Sequence, residues 1–177
     1  MGAIGRVMQT MNLALFPSRA ILAALGLLAL AGGCSPAVSD APSQAAQVQA
    51  RHPESGLPVI PVTIKSANRV HHIKAELALN RYDQAKGLMF RTELGRNEGM
   101  LFPLDPPRQA SFWMKNTVIP LDIIFIGQDR RILNIYDNAE PYSERQILSE
   151  GPSAAVFELV GGRAAQLGIA PGDKVEW

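Results

Sequence analysis

The chain reads as an all-β or β-rich α+β domain: a small barrel-like antiparallel sheet carrying one or two short helices. Three observations predict this. Between Pro61 and Trp177 the apolar residues fall in short runs, several with period-two alternation. The runs are separated by Gly, Pro, Asn and Asp, the residues of tight turns. No stretch carries the long helical pattern of a βαβ crossover. Closure into a barrel is favoured because it removes exposed sheet edges.

The elements follow in order. Pro61-Val-Thr-Ile64 is a first strand. In His71–Leu79, Ile73, Ala75, Leu77 and Leu79 share one face, the mark of a half-buried strand. Asn80 then caps a short helix over Arg81–Lys86, ended by Gly87. Gly99–Phe102 and Ala110–Lys115 are separate short strands. Leu121–Ile126 is apolar on both faces and meets a hairpin signal at Gly127-Gln-Asp129, from which Ile132–Tyr136 returns. Ala154–Val160 is a further strand. A helical turn ends at Gly168, Pro171-Gly172-Asp173 turns the chain, and Lys174–Trp177 is the last strand.

Everything before this domain is expected to concern location. Arg6 and Arg19 precede the apolar run Ala20–Ala31. That run has the length of a signal-peptide core and is too short to span a bilayer, which needs roughly 20 apolar residues. Small residues stand directly before Cys34 in Ala31-Gly32-Gly33-Cys34, a pattern that resembles a lipoprotein processing site. Ala29-Leu30-Ala31 offers the rival reading, plain secretion through an A-x-A site. The expected organisation is a signal peptide over 1–33, a flexible linker over 34–60 and one compact domain over 61–177. Residues 35–58 are rich in Ala, Pro, Ser and Gln and too poor in large apolar side chains to fold alone. Such a tether reaches at most roughly 80–90 Å when extended. The chain is therefore expected in the cell envelope, on the periplasmic side, with the membrane as a partner through lipid on Cys34.

Composition excludes several classes. Without Arg6 and Arg19, 15 basic side chains face 16 acidic ones, so the exported part carries −1. That balance leaves no electrostatic footprint for nucleic acid. Cys34 is the single cysteine, so no intrachain disulfide forms. No metal or other cofactor is expected. The sequence lacks zinc-type spacing. His71 and His72 point to opposite faces of one strand, and Met89, Met100 and Met114 are too dispersed for a copper site. No nucleophilic triad is supported, since the domain's only histidines are those two. Glu76, Asp122, Glu140 and Glu158 are available as carboxylates, but their spacing favours no pair.

The densest stretch is Phe112–Phe125. Trp113 beside Lys115 and Asn116 gives a flat apolar surface with adjacent donors, suited to a glycan or peptide. Asn116-Thr117 suits a turn. Asp122 lies among apolar residues, where a carboxylate needs partners. Lys115, Arg91 and the Asn116-Thr117 backbone are the candidates. Asp122 either anchors a turn through backbone N–H groups or forms a pocket floor. Arg91 follows Gly87-Leu-Met-Phe90 and either forks onto a ligand anion or pairs with Asp122 or Glu93.

Gly87-Leu-Met-Phe-Arg91, Gly99-Met-Leu-Phe102, Phe112-Trp-Met-Lys-Asn-Thr117, Ile119-Pro-Leu-Asp-Ile-Ile-Phe125 and Gly151-Pro152 before Val156–Val160 together resemble the uncharacterised family known as domain of unknown function 192. The resemblance spans about Val62 to Val175. It implies a compact, barrel-like β domain, often exported, and supplies no reaction. The family's characteristic positions match here as Arg91, Met100, Trp113, Met114, Lys115, Asn116, Thr117 and Asp122. The favoured reading is a non-catalytic binding module for a small polar ligand, glycan or peptide, with Arg91, Trp113, Met114, Lys115, Asn116, Thr117 and Asp122 at the site. A structural or envelope-protein-binding lipoprotein, whose motif is scaffold, is the alternative. A hydrolase using Asp122 stands third.

Overall fold

The computed structural model describes residues 50–67 and 69–177. The expected signal peptide, Cys34 and most of the expected linker lie outside the described residues. The elements are β1 (Val59–Ser66), β2 (Arg69–Leu77), α1 (Arg81–Lys86), β3 (Glu98–Phe112), β4 (Leu121–Gly127), β5 (Ile132–Ala139), β6 (Ile147–Val160), α2 (Arg163–Leu167) and β7 (Lys174–Glu176). The strands form one sheet in the order β5-β4-β6-β3-β2-β1-β7. It is β-rich and curls into a half-barrel, as expected. Its two outer strands meet at one end. Arg131 bridges Lys174, and Val175 N–H donates to the Arg130 carbonyl at 2.8 Å. That contact covers part of the edge that would otherwise recruit another chain.

All pairings are antiparallel except one. β2 runs parallel to β3, with Ala75 opposite Gly99. The crossover uses α1 and the loop after it, rather than a long helix. α1 forms where its local signals place it. The Asn80 side chain accepts from Asp83 N–H at 2.9 Å, and Gly87 ends the helix at φ 47°. The two strands expected at 99–102 and 110–115 are instead one strand, β3, which ends at Phe112. Pro103, Pro106 and Pro107 lie where its register against β6 shifts, between Pro103 and Arg108. Proline is tolerated there because the hydrogen-bond ladder is already interrupted.

The sheet is apolar on both faces because both are covered. Ile124, Ile126, Phe157 and Leu159 join Val62, Ile64, Ile73 and α2's Ala164 inside the curl. Ile123, Phe125, Val156, Met100 and Phe102 face the other way, beneath Leu88 and Met114. This second core places the loops 87–91 and 113–120 against the sheet. Packing is tight between β3 and β6: a Cβ on Gly99 would overlap the Glu158 carbonyl and the Phe157 ring.

The domain begins earlier than its expected start at residue 61. Arg51 bridges Pro58, and Gly56 N–H donates to the His52 carbonyl at 2.8 Å. The last part of the segment read as linker is therefore an ordered strap on the domain.

Candidate functional site

The strap is held by a buried ionic cluster. Arg91 and Glu76 are 6% and 3% exposed. Arg91 Nη2 donates to both Glu76 oxygens at 2.6 and 2.7 Å, and Nε lies 3.2 Å from Glu54 Oε1. His52 Nδ1 lies 3.2 Å from the same guanidinium, and Ser55 Oγ donates to Glu76. The partners expected for Arg91, Asp122 and Glu93, are not the ones it has. Its Nη2 and Nε are taken by the carboxylates of Glu76 and Glu54, which clamps the strap onto β2.

Asp122 is a second buried carboxylate with a full set of partners. It is wholly buried. Oδ1 accepts from Asn138 N–H and Gly162 N–H, both at 2.8 Å, and Oδ2 from Ala164 N–H at 2.7 Å. Gly162 has no side chain with which to cap α2. Asp122 performs that task from β4 and ties the end of β5 to the same point. Its carboxylate is enclosed and occupied by these three donors, the turn-anchoring arrangement weighed for it above. Lys115, Arg91 and the 116–117 backbone do not contact it.

The Phe112–Thr117 motif divides into different tasks. Met114 is fully buried in the outer core, so it too is removed from the expected ligand contacts. Asn116 takes a left-handed conformation, φ 56°, which asparagine tolerates better than most residues. Its carbonyl accepts from Phe90 N–H at 2.8 Å, while the Thr117 carbonyl accepts from Tyr142 N–H at 3.0 Å. The turn thereby pins two neighbouring loops. Trp113 is half-exposed, and Lys115 Nζ lies 5.1 Å from its ring centre.

Trp113 and Thr117 line a cavity of about 350 Å³ between the α1–Met89 segment and β3. Phe102, Phe112, Leu104 and Met89 form its apolar wall, with Lys86 and Arg108 as its cations. Phe102 and Phe112 meet edge-to-face, ring centres 5.3 Å apart. Of the expected ligand-binding residues the structure brings only Trp113 and Thr117 to this cavity. Arg91 borders a smaller one, of about 240 Å³, with Tyr82 and Phe90.

Glu158, which the sequence offers only as one of four carboxylates without a role, also lines the larger cavity. It sits on β6 beside Val156, on the outer-core face, and is 5% exposed. No side-chain hydrogen bond or ion pair from a described residue reaches it, and burial pushes its carboxyl up from 4.5 to about 8. The signal was available: a lone carboxylate within the apolar run Ala154–Val160. It is the same pattern that drew attention to Asp122.

The family model for DUF192, described as Uncharacterized ACR, matches residues 62–177. The chain belongs to the DUF192 family. A DUF192-like fold is seen in the crystal structure of a protein of unknown function from Novosphingobium aromaticivorans. That protein is 54% identical, with a TM-score of 0.72, over 82% of this chain and 100% of its own. A Sinorhizobium meliloti protein, described in its crystal structure as a candidate transcription regulator, is 40% identical. Its TM-score is 0.66 over 68% of this chain and 94% of its own. A search of curated proteins returned no match.

Proposed function

We propose that this DUF192 member is an exported, lipid-anchored binding module of the cell envelope, non-catalytic, which takes a small polar ligand, a glycan or a peptide in the cavity over Glu158. The observation that carries this reading is Glu158 itself. A buried carboxyl that no described residue pairs is costly, and here it lines a cavity. Aromatic walls with a few polar groups are the usual make-up of a small-ligand site. The near-neutral charge of the exported part gives no support for nucleic-acid binding.

The reading is tested by titrating neutral sugars, amino acids and short peptides into the protein. Trp113→Ala is expected to weaken a bound member roughly tenfold through loss of stacking, with little change in melting because Trp113 is 47% exposed. A panel in which nothing alters Trp113 emission would sink the site.

The location rests on the charged N-terminal region, the apolar run ending at Ala31 and the small residues before Cys34. Cys34→Ser is expected to abolish incorporation of a fatty-acid label and to release the protein from membranes. Membrane retention of Cys34→Ser would reject the anchor.

A further inference from the structure

We propose that Glu158 receives a ligand's ammonium group: the cavity takes a primary amine on an apolar body, as carried by an amino acid or by the first residue of a peptide. This deepens the binding reading above and rests on it.

The contrast among buried carboxylates is the first argument. Glu76 has Arg91 and Ser55, and Asp122 has three backbone donors. Glu158, equally buried, has none from the described residues. Its oxygens are left for something the cavity admits, and a cation is the strongest partner for a carboxylate. The aromatic lining is the second. Phe102, Phe112 and Trp113 share the cavity with Glu158, and aromatic faces stabilise ammonium groups that have been stripped of water.

Charge placement is the third. Lys86, from α1, and Arg108, from β3, are the charged side chains that line the cavity with Glu158. Both are exposed, and neither forms an ion pair with it. A ligand with its ammonium inward at Glu158 and a carboxylate outward matches this arrangement. A purely anionic ligand would leave Glu158 without a cation.

The proton balance makes the idea measurable. In the empty cavity Glu158 is a neutral acid at pH 7, since burial holds its proton on until about pH 8. An entering ammonium keeps its own protons and stabilises the carboxylate. The Glu158 proton therefore leaves to solvent, close to one per ligand bound. A neutral sugar accepting a hydrogen bond from the acid would release none.

The experiment is calorimetric titration of the full chain at pH 7 in phosphate and in HEPES, neither a primary amine, whose different ionisation heats count released protons. The probes are L-leucine, L-leucinamide, the peptide Leu-Gly-Gly, N-acetyl-L-leucine and methyl β-glucoside. At least one of the first three is expected to bind with release of nearly one proton, and N-acetyl-L-leucine not at all. Glu158→Gln is expected to weaken that amine at least tenfold. Leucine above leucinamide indicates a free amino acid with its carboxylate near Lys86 or Arg108; Leu-Gly-Gly above both indicates a peptide terminus. Binding of N-acetyl-L-leucine as tight as leucine, amine binding without proton release, or no amine binding overturns the proposal. Methyl β-glucoside binding alone, without proton release, overturns it while leaving the cavity as the ligand site.

Discussion

Asp122→Ala is expected to lower the stability of the domain by about 4–6 kcal/mol, from the loss of charge-assisted bonds and the desolvation of donors left unpaired. Three backbone N–H groups converge on this carboxylate, on Asn138, Gly162 and Ala164. They belong to the end of β5 and to the start of α2, which are distant in sequence. The N-cap residue, Gly162, supplies no side-chain cap of its own. Domains of this size are stable by only about 5–15 kcal/mol, so the variant should populate unfolded chain at ambient temperature. Asp122→Asn is expected to lose about half as much, because one oxygen still accepts while the amide opposes an N–H. Urea unfolding of the three proteins tests this. A loss below about 1 kcal/mol for Asp122→Ala would show that water takes over the three donors.

Glu158→Gln is expected to act in the opposite direction, and only above about pH 4.5. Below pH 4.5 the Glu158 carboxyl is protonated in both folded and unfolded chains. As pH rises, the unfolded chain ionises first, while the folded chain keeps the proton up to about 8. Stability is therefore full below about 4.5 and is lost as pH climbs towards 8. The loss reaches about 3 kcal/mol at pH 7, at about 1.4 kcal/mol per pH unit. Glutamine has nothing to ionise, so the variant should gain that amount at pH 7 and almost nothing at pH 4. Equal gains at both values would mean that shape, not charge, distinguishes the two side chains.

These two carboxylates mark the limit of what the sequence shows. Each is a lone acid in an apolar strand, and each breaks the same local rule. Their partners lie on other elements, so only the folded chain separates the capping residue from the one facing a cavity. Arg91 is similar: its partner Glu76 is 15 positions away and the strap residues further still. Local features were legible. Asn80 and Gly87 delimit α1 through contacts within a few residues. That β4 is apolar on both faces was legible, because an uninterrupted apolar run needs no knowledge of neighbours. The length of β3 was hidden by its prolines, which look like breaks unless the matching irregularity on β6 is known. The parallel β2–β3 pair was hidden because its register depends on a crossover of about twenty residues.

The strap at residues 51–58 also changes the mechanics of attachment. Its bond to Arg91 and Glu76 holds the chain on the domain from Arg51 onward. With Cys34 as the proposed anchor, at most 16 residues separate lipid from the held strap, rather than 26. The longest possible leash shrinks from roughly 85 Å to roughly 55 Å. The volume the domain sweeps beside the bilayer falls about fourfold, since it varies with the cube of the leash. Any bilayer-bound target then meets the cavity at a correspondingly higher local concentration.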